Sequence, residues 1–259
     1  MSRDADWVNL HRFTEARIGL GRAGAALPIK EVLNFAMAHA QARDAVTTPI
    51  DWQPIATALT GFGLPAMFVA SAAGDRDTYL RRPDLGRRLA PASRQALADA
   101  ARARPDLLIV IADGLSSTGV AANAADVIAE LVPLIEKSAW GLAPVLLASQ
   151  GRVAIGDDAG EILNARAVLV LIGERPGLSS PDSLGAYLTF EPRVGRKDGE
   201  RNCVSNIRSG GLGAAEAAYK IHWLLREAYR RSLTGVALKD ESVFQLDNAA
   251  AAAKLLGGR

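Results

Sequence analysis

Cysteine and histidine are scarce in this sequence. A single cysteine, Cys203, among 259 residues excludes an intrachain disulfide framework and a four-cysteine zinc site. It also points to a reducing, cytoplasmic setting. The three histidines, His11, His39 and His222, lie far apart, and none belongs to an H-x-x-x-H pair, so no zinc site is expected. Neither sign of charge prevails: 30 basic residues stand against 28 acidic ones, a net charge of +2, which argues against a dedicated nucleic-acid binder. No continuous apolar run approaches the ~20 residues that cross a bilayer. The first residues, MSRDADWVNLHRF, are charged rather than apolar, so no secretory signal is expected. The chain also lacks G-x-S-x-G and G-x-x-x-x-G-K-[ST] motifs. Ser116 and Ser117 have no histidine nearby in sequence to act as base, so a hydrolase triad is not expected.

Apolar residues are plentiful, at 49% of the chain, enough for a substantial core and against global disorder. The length suits one large α/β domain, or a core domain with a smaller satellite. Met1 to about Phe13 has no period, and residues 14–26, rich in Gly and Arg, read as loop. From Pro28, with Val32, Phe35, Ala36 and His39 at helical spacing, the pattern predicts a helix to about Val46. Residues 50–60 suggest a second helix, 67–71 a short strand, 75–88 a loop with helical pieces, and 93–104 an Ala-rich helix. Three aliphatic runs then follow, at 107–112, 144–149 and 167–172, as expected of strands buried on both faces. Between the first two, Val120, Ala124, Val127, Leu131 and Leu134 mark a helix in which Pro133 implies a kink or an early end. Residues 151–156 read as a short strand or turn, after which Asp157 or Asp158 is expected to cap a short helix. Further strands are predicted at 184–190 and 202–206, and a long helix at 212–233. The Ala-rich tail reads as frayed helix or disorder.

Strands alternating with helices predict an α/β fold: a mostly parallel, Rossmann-like sheet with helices on both faces, after a smaller, mainly helical N-terminal region. The expected division is 1–104, 105–240 and a tail, 241–259. Ligands of such sheets bind outside the carboxyl ends of the strands. Those ends are residues 113–117, 149–153, 173–177 and 203–206, each polar or Gly-rich. Glu174, between Gly173 and Arg175, stands out there. Its carboxylate can accept amide hydrogen bonds from a ligand, or it can pair with Arg175 or Arg193. Cys203 reads as a small buried residue near the end of its strand. Gly19, Gly21 and Gly24 match G-x-G-x-x-G, but that fingerprint needs a strand before it and a helix opening on it. The segment before it is a poor strand, and a loop with flexible Gly and anchoring Arg is the plainer reading. Arg81–Arg82 and Arg87–Arg88 read as solvated faces, or as partners for a protein or a phosphate.

Several segments together resemble the small (light) subunit of ethanolamine ammonia-lyase, an adenosylcobalamin-dependent enzyme. They are TEARIGLGRAG, LPIKEVLNFAMAHAQARDAV, IADGLSS, GRVAIGDDAGEILNARAVLVLIGERPGLSSPDSLGAYL and ERNCVSNIR, in matching order over residues 14–240. The resemblance implies a lyase subunit active only with a large subunit, six of each, which together convert ethanolamine to acetaldehyde and ammonia. The large subunit carries the barrel, the substrate site and the acid/base residues, so no catalytic residue is expected in this chain. Val153 is expected to contact the cobalamin, Glu174 to accept hydrogen bonds from corrin amides, and Cys203 to touch the cofactor without attacking it. None of the histidines has an aspartate two residues before it, as a D-x-H-x-x-G motif requires. The cobalt is therefore expected to keep its dimethylbenzimidazole (base-on) and to take no metal ligand from this chain. Nucleic-acid and membrane partners are not expected, and the location implied is the cytoplasm or a bacterial microcompartment within it. The segment from Arg17 to Gly24, with its adjoining helix, is the expected docking element for the large subunit. The other classes considered are a nucleotide-binding dehydrogenase using Gly19 to Gly24, and a small-ligand sensor.

Overall fold

The structure is a computed structural model that describes Leu10 and residues 16–243. Apart from Leu10 and residues 16–243, the arm and tail discussed above lie outside the described residues. In chain order the elements are α1 (Ile29–Thr47), α2 (Gln53–Gly61), β1 (Ala66–Ala70), α3 (Arg76–Arg81), a single 3-10 turn (Leu85–Arg87), α4 (Pro91–Ala100), β2 (Leu107–Ala112), α5 (Ser117–Ser138), β3 (Val145–Ser149), α6 (Ile155–Ile162), β4 (Ala167–Gly173), β5 (Leu184–Phe190), a second 3-10 turn (Asp198–Glu200), β6 (Asn202–Ile207) and α7 (Ala214–Arg231).

The six strands form one sheet in the order β1-β3-β2-β4-β5-β6. The pairs β1/β3, β3/β2 and β2/β4 are parallel, whereas β4/β5 and β5/β6 are antiparallel. The sheet is therefore mixed, which corrects the mostly parallel, Rossmann-like expectation. The reason lies in the connections. A parallel return needs a crossover of about a dozen residues or more, usually through a helix. Residues 174–183 and 191–201 contain no α-helix, so each strand they lead to runs back beside its predecessor. Among the described residues, β1 is the only strand from before residue 105.

Both faces of the sheet are covered, because β2 and β4 are buried along their full lengths. Leu107, Ile109 and Ile111 of β2, with Val145, Leu147, Leu169 and Leu171, face Ile55 and Leu59 of α2 and the buried stripes of α5 and α7. The alternate residues Leu108, Val110, Leu146, Val168 and Val170 face Leu97 of α4 and Ile155 and Ala159 of α6. Each such aliphatic side chain contributes about 1.5–3 kcal/mol by leaving water.

Helix α5 is long and apolar enough to cross a membrane by length and composition. Its apolar stripe, however, is Val120, Ala124, Val127, Ile128, Leu131 and Ile135, buried in this core. It runs past Pro133 to Ser138, so the proline does not end it. Pro133 and Ala129 lie on the exposed side of the helix, where water can serve the Ala129 carbonyl that the missing N–H leaves free. Helix α1 differs from the others. Only Ala38 and Ala45 are buried in it, while Ile29, Leu33 and Met37 are 79%, 63% and 62% exposed. Its C-terminal end is held by Arg76, whose Nε donates to Val46 O at 2.6 Å, and by Ser117, whose Oγ donates to Thr48 O at 2.6 Å.

The aspartates expected to cap α6 do not do so. The helix starts two residues earlier, at Ile155, which places Asp157 and Asp158 in its buried first turn. Asp157 takes both terminal nitrogens of Arg201 at 2.7 and 2.6 Å. Asp158 accepts from Leu89 N at 2.8 Å and from Arg88 and Arg94. The carboxylates still favour the positive end of the helix, but their hydrogen bonds go to distant arginines and a distant amide.

Candidate functional site

The loops at the carboxyl ends of β2, β3 and β4 are fastened together. The buried Asp113 carboxylate accepts hydrogen bonds from Gly114 N at 2.9 Å, Gln150 N at 2.9 Å and Gly151 N at 3.1 Å. Burial raises its pKa, and these amides and the guanidinium of Arg76, 3.9 Å away, work the other way. The loops after β2 and β4 touch where there is no side chain. A Cβ on Gly114, whose φ is +60°, would lie 2.2 Å from Gly173 O, and one on Gly173 would lie 2.0 Å from Ser116 O. Ser116 caps α5 by accepting from Gly119 N at 3.0 Å and donates to Pro181 O at 2.6 Å. Ser116 and Ser117 are thus structural.

Beside these loops lies a cavity of about 450 Å³, whose walls include Tyr79, Arg152, Val153, Glu174, Arg175 and Tyr187. Glu174 is held by one oxygen only. Its Oε2 accepts from Ser183 Oγ at 2.5 Å and from Asn206 N at 3.2 Å. Its Oε1 accepts no hydrogen bond among the described residues and lies where Gly185 lacks a side chain; a Cβ there would come within 2.8 Å. Glu174 forms no ion pair with Arg175 or Arg193. Tyr79 is fully buried between two cations, with the guanidinium carbons of Arg76 and Arg152 at 4.7 and 4.3 Å from its ring centre. Burial pushes its phenol up to about 12. Two buried polar atoms of this wall, Tyr79 Oη and Arg152 Nε, have no hydrogen-bond partner among the described residues.

The fold thus brings Val153 and Glu174 into one cavity. Cys203 is not in its wall but pairs across the β5/β6 ladder with Tyr187, which is. The residue is exposed, yet loss of solvent around the sulfur pushes the thiol pKa up. A hydrogen bond from Tyr187 opposes that shift, and the charge of Glu174 adds to it. The sulfur therefore stays a neutral thiol rather than a nucleophilic thiolate at neutral pH. Of Tyr79, Arg152, Tyr187 and Ser183 around this cavity, the sequence reached only Arg152, as part of the strand end 149–153. Tyr79 lies in a charged segment without a clear period. Tyr187 bore only the ordinary signal of a strand residue.

The Gly19–Gly24 segment is irregular, with positive φ at Gly19, Gly21 and Gly24. No strand leads into it among the described residues, and α1 opens five residues beyond it, so the geometry of a dinucleotide fingerprint is not met. Arg17 in this segment lies over the Phe35 ring of α1 at 5.2 Å. His222 bonds Ser138 at 2.8 Å and packs on Trp140, while His39 stacks on Phe35.

The cavity at the carboxyl edge of this α/β sheet is thus walled by one half-free carboxylate, two arginines and two phenols. The profile of the ethanolamine ammonia-lyase light chain (EutC) matches residues 4–239. The ethanolamine ammonia-lyase small subunit of Xanthomonas campestris pv. campestris is 54% identical over 93% of this chain and 89% of its own length. That of Azotobacter vinelandii is 53% identical over 94% and 92%, and that of Pseudomonas fluorescens SBW25 is 49% identical over 93% and 88%. The chain belongs to the ethanolamine ammonia-lyase light-chain family.

Proposed function

We propose that this chain is the small subunit of an adenosylcobalamin-dependent ethanolamine ammonia-lyase, and that the Glu174 cavity holds one side of the corrin against a large subunit. The large subunit would carry the deamination of ethanolamine to acetaldehyde and ammonia. The observation that carries the cofactor reading is Glu174 Oε1, which accepts no hydrogen bond among the described residues and belongs to a side chain of the cavity wall, with two buried donors that lack partners among those residues in the same wall. The amide side chains of a corrin supply N–H groups for that oxygen and carbonyls for Tyr79 and Arg152. A cavity of about 450 Å³ suits a drug-sized ligand, whereas a corrin is far larger, so this chain would form one wall and the partner the other. When bound, the cofactor supplies the radical chemistry. The residues of this chain position it: Glu174 fixes an amide, Val153 gives apolar contact, and the Tyr187–Cys203 pair stays neutral beside them.

The test is coexpression with a large subunit, measuring acetaldehyde release and, separately, hydroxocobalamin affinity by visible absorbance. Acetaldehyde is expected only with both chains present. Glu174→Ala removes a charge-assisted hydrogen bond of about 1.5–3 kcal/mol, so affinity should fall roughly 10- to 100-fold. Unchanged affinity in a correctly assembled Glu174→Ala complex would overturn the corrin reading.

A further inference from the structure

A second cavity, of about 460 Å³, lies where the turn Leu85–Arg87, the start of α6 and the loop before β6 meet. Its wall includes Ala154, the residue after Val153 of the Glu174 cavity. Arg87 and Arg88, which the sequence left as solvated or as partners for a protein or a phosphate, stand on one side. Arg196, Lys197 and Arg201 stand on the other.

These five cations meet three carboxylates, Asp84, Asp157 and Asp198, and each of the three already faces a guanidinium. Asp157 holds Arg201. Asp84 is gripped through two hydrogen bonds by Arg82, which is not in the wall. Arg196 is fixed by Glu200 at 2.6 Å and by the carbonyls of Phe190 and Glu191. The Arg201 side chain is 3% exposed, and its Nε, 3.7 Å from Asp198, makes no hydrogen bond. Arg88 is half committed, one nitrogen lying 3.3 Å from the buried Asp158, whereas Arg87 and Lys197 are exposed and held in no ion pair among the described residues. The frame is thus rigid, has one buried donor without an acceptor, and carries two uncommitted cations at its rim.

A group with several anionic oxygens matches several guanidinium forks at once better than a single carboxylate does. The concave form also suits a small molecule rather than a protein side chain. We propose that this cavity is a phosphate subsite, taking a phosphate ester through Arg87 and Lys197, with the Asp158-bound Arg88 adding its charge beside them. Two sources carry that chemistry. One is the phosphodiester in the nucleotide arm of a cobalamin, whose corrin would occupy the Glu174 cavity; this source alone rests on the function proposed above. The other is free phosphate or a nucleotide.

The test compares the wild-type complex with a large subunit and the Arg87→Ser/Lys197→Ser complex. Inorganic phosphate and ADP are titrated by calorimetry. Hydroxocobalamin and cobinamide, which lacks the nucleotide arm, are titrated by absorbance. A loss of roughly tenfold or more for hydroxocobalamin, with cobinamide unchanged, would assign the phosphate to the cofactor. The same loss for phosphate and ADP, with both corrinoids unchanged, would assign it to a free ligand. Equal binding of all probes by the two complexes, no phosphate or ADP binding in a complex that binds no corrinoid, or an equal loss for both corrinoids would overturn the proposal. The phosphate and ADP arms decide it even if no corrinoid binds, so its failure is separable from that of the corrin reading.

Discussion

Glu174 keeps one oxygen free because Gly185 has no side chain. Gly185→Ala would bring a methyl group within 2.8 Å of that oxygen and turn the carboxylate aside. Hydroxocobalamin affinity should then fall as it does in Glu174→Ala, and the double variant should be no worse than either single one, since both remove one contact. Additive losses in that cycle would contradict the geometry. The Asp157–Arg201 pair acts on stability instead. Asp157→Ala leaves the buried guanidinium without its counter-charge, and a loss of about 3–5 kcal/mol is expected in urea unfolding. Asp157→Leu/Arg201→Met should recover most of it. His222 makes the fold sensitive to pH. Burial first, then nearby Arg226, depresses its pKa below the ordinary 6.5. The folded state therefore favours the neutral ring. Its contribution is complete above pH 6.5 and is lost as pH falls below that value through the depressed pKa. His222→Gln should flatten that part of the stability–pH curve.

At the scale of elements, the two glycines between the β2 and β4 loops set how closely those loops approach. Gly173→Ala would place a Cβ 2.0 Å from Ser116 O, a backbone atom with little room to yield. Unfolding free energy should drop by about 1–3 kcal/mol or more, and the change should disturb the Glu174 loop as well, read as weaker hydroxocobalamin binding. The short, helix-free links on either side of β5 explain why the sheet turns antiparallel there. That turn matters to the site, because it carries Tyr187 and Cys203 to the same edge as Glu174. Local patterns showed that 184–190 and 202–206 are strands, but not their direction, since a strand pattern reads alike both ways.

For the whole molecule, the long α1 helix presents an apolar stripe that the other described residues leave uncovered. Ile29, Leu33 and Met37 recur every four residues, so they share one face of the helix. Under the proposed function this face, with the Arg17–Gly24 segment beside it, meets the large subunit. Leu33→Ser/Met37→Ser should make the lone chain more soluble and reduce copurification of the large subunit. Arg17→Glu/Arg22→Glu should reduce copurification too. Full copurification with both double variants would place the interface elsewhere.

The sequence by itself determined the strands β2, β3 and β4, the long helices, and the polar strand ends where a ligand would sit. Those features are local: aliphatic runs and helical spacing are written into neighbouring residues. It also singled out Val153 and Glu174, which the fold brings into one cavity. Only the tertiary structure decided that Asp157 answers Arg201 rather than capping a helix, that Glu174 is held by Ser183 and Asn206 rather than by an arginine, and that Tyr79, Arg152 and Tyr187 converge beside it. Each of these depends on which distant segments the sheet and its connections bring together, and no periodicity within a segment records its partner across the fold.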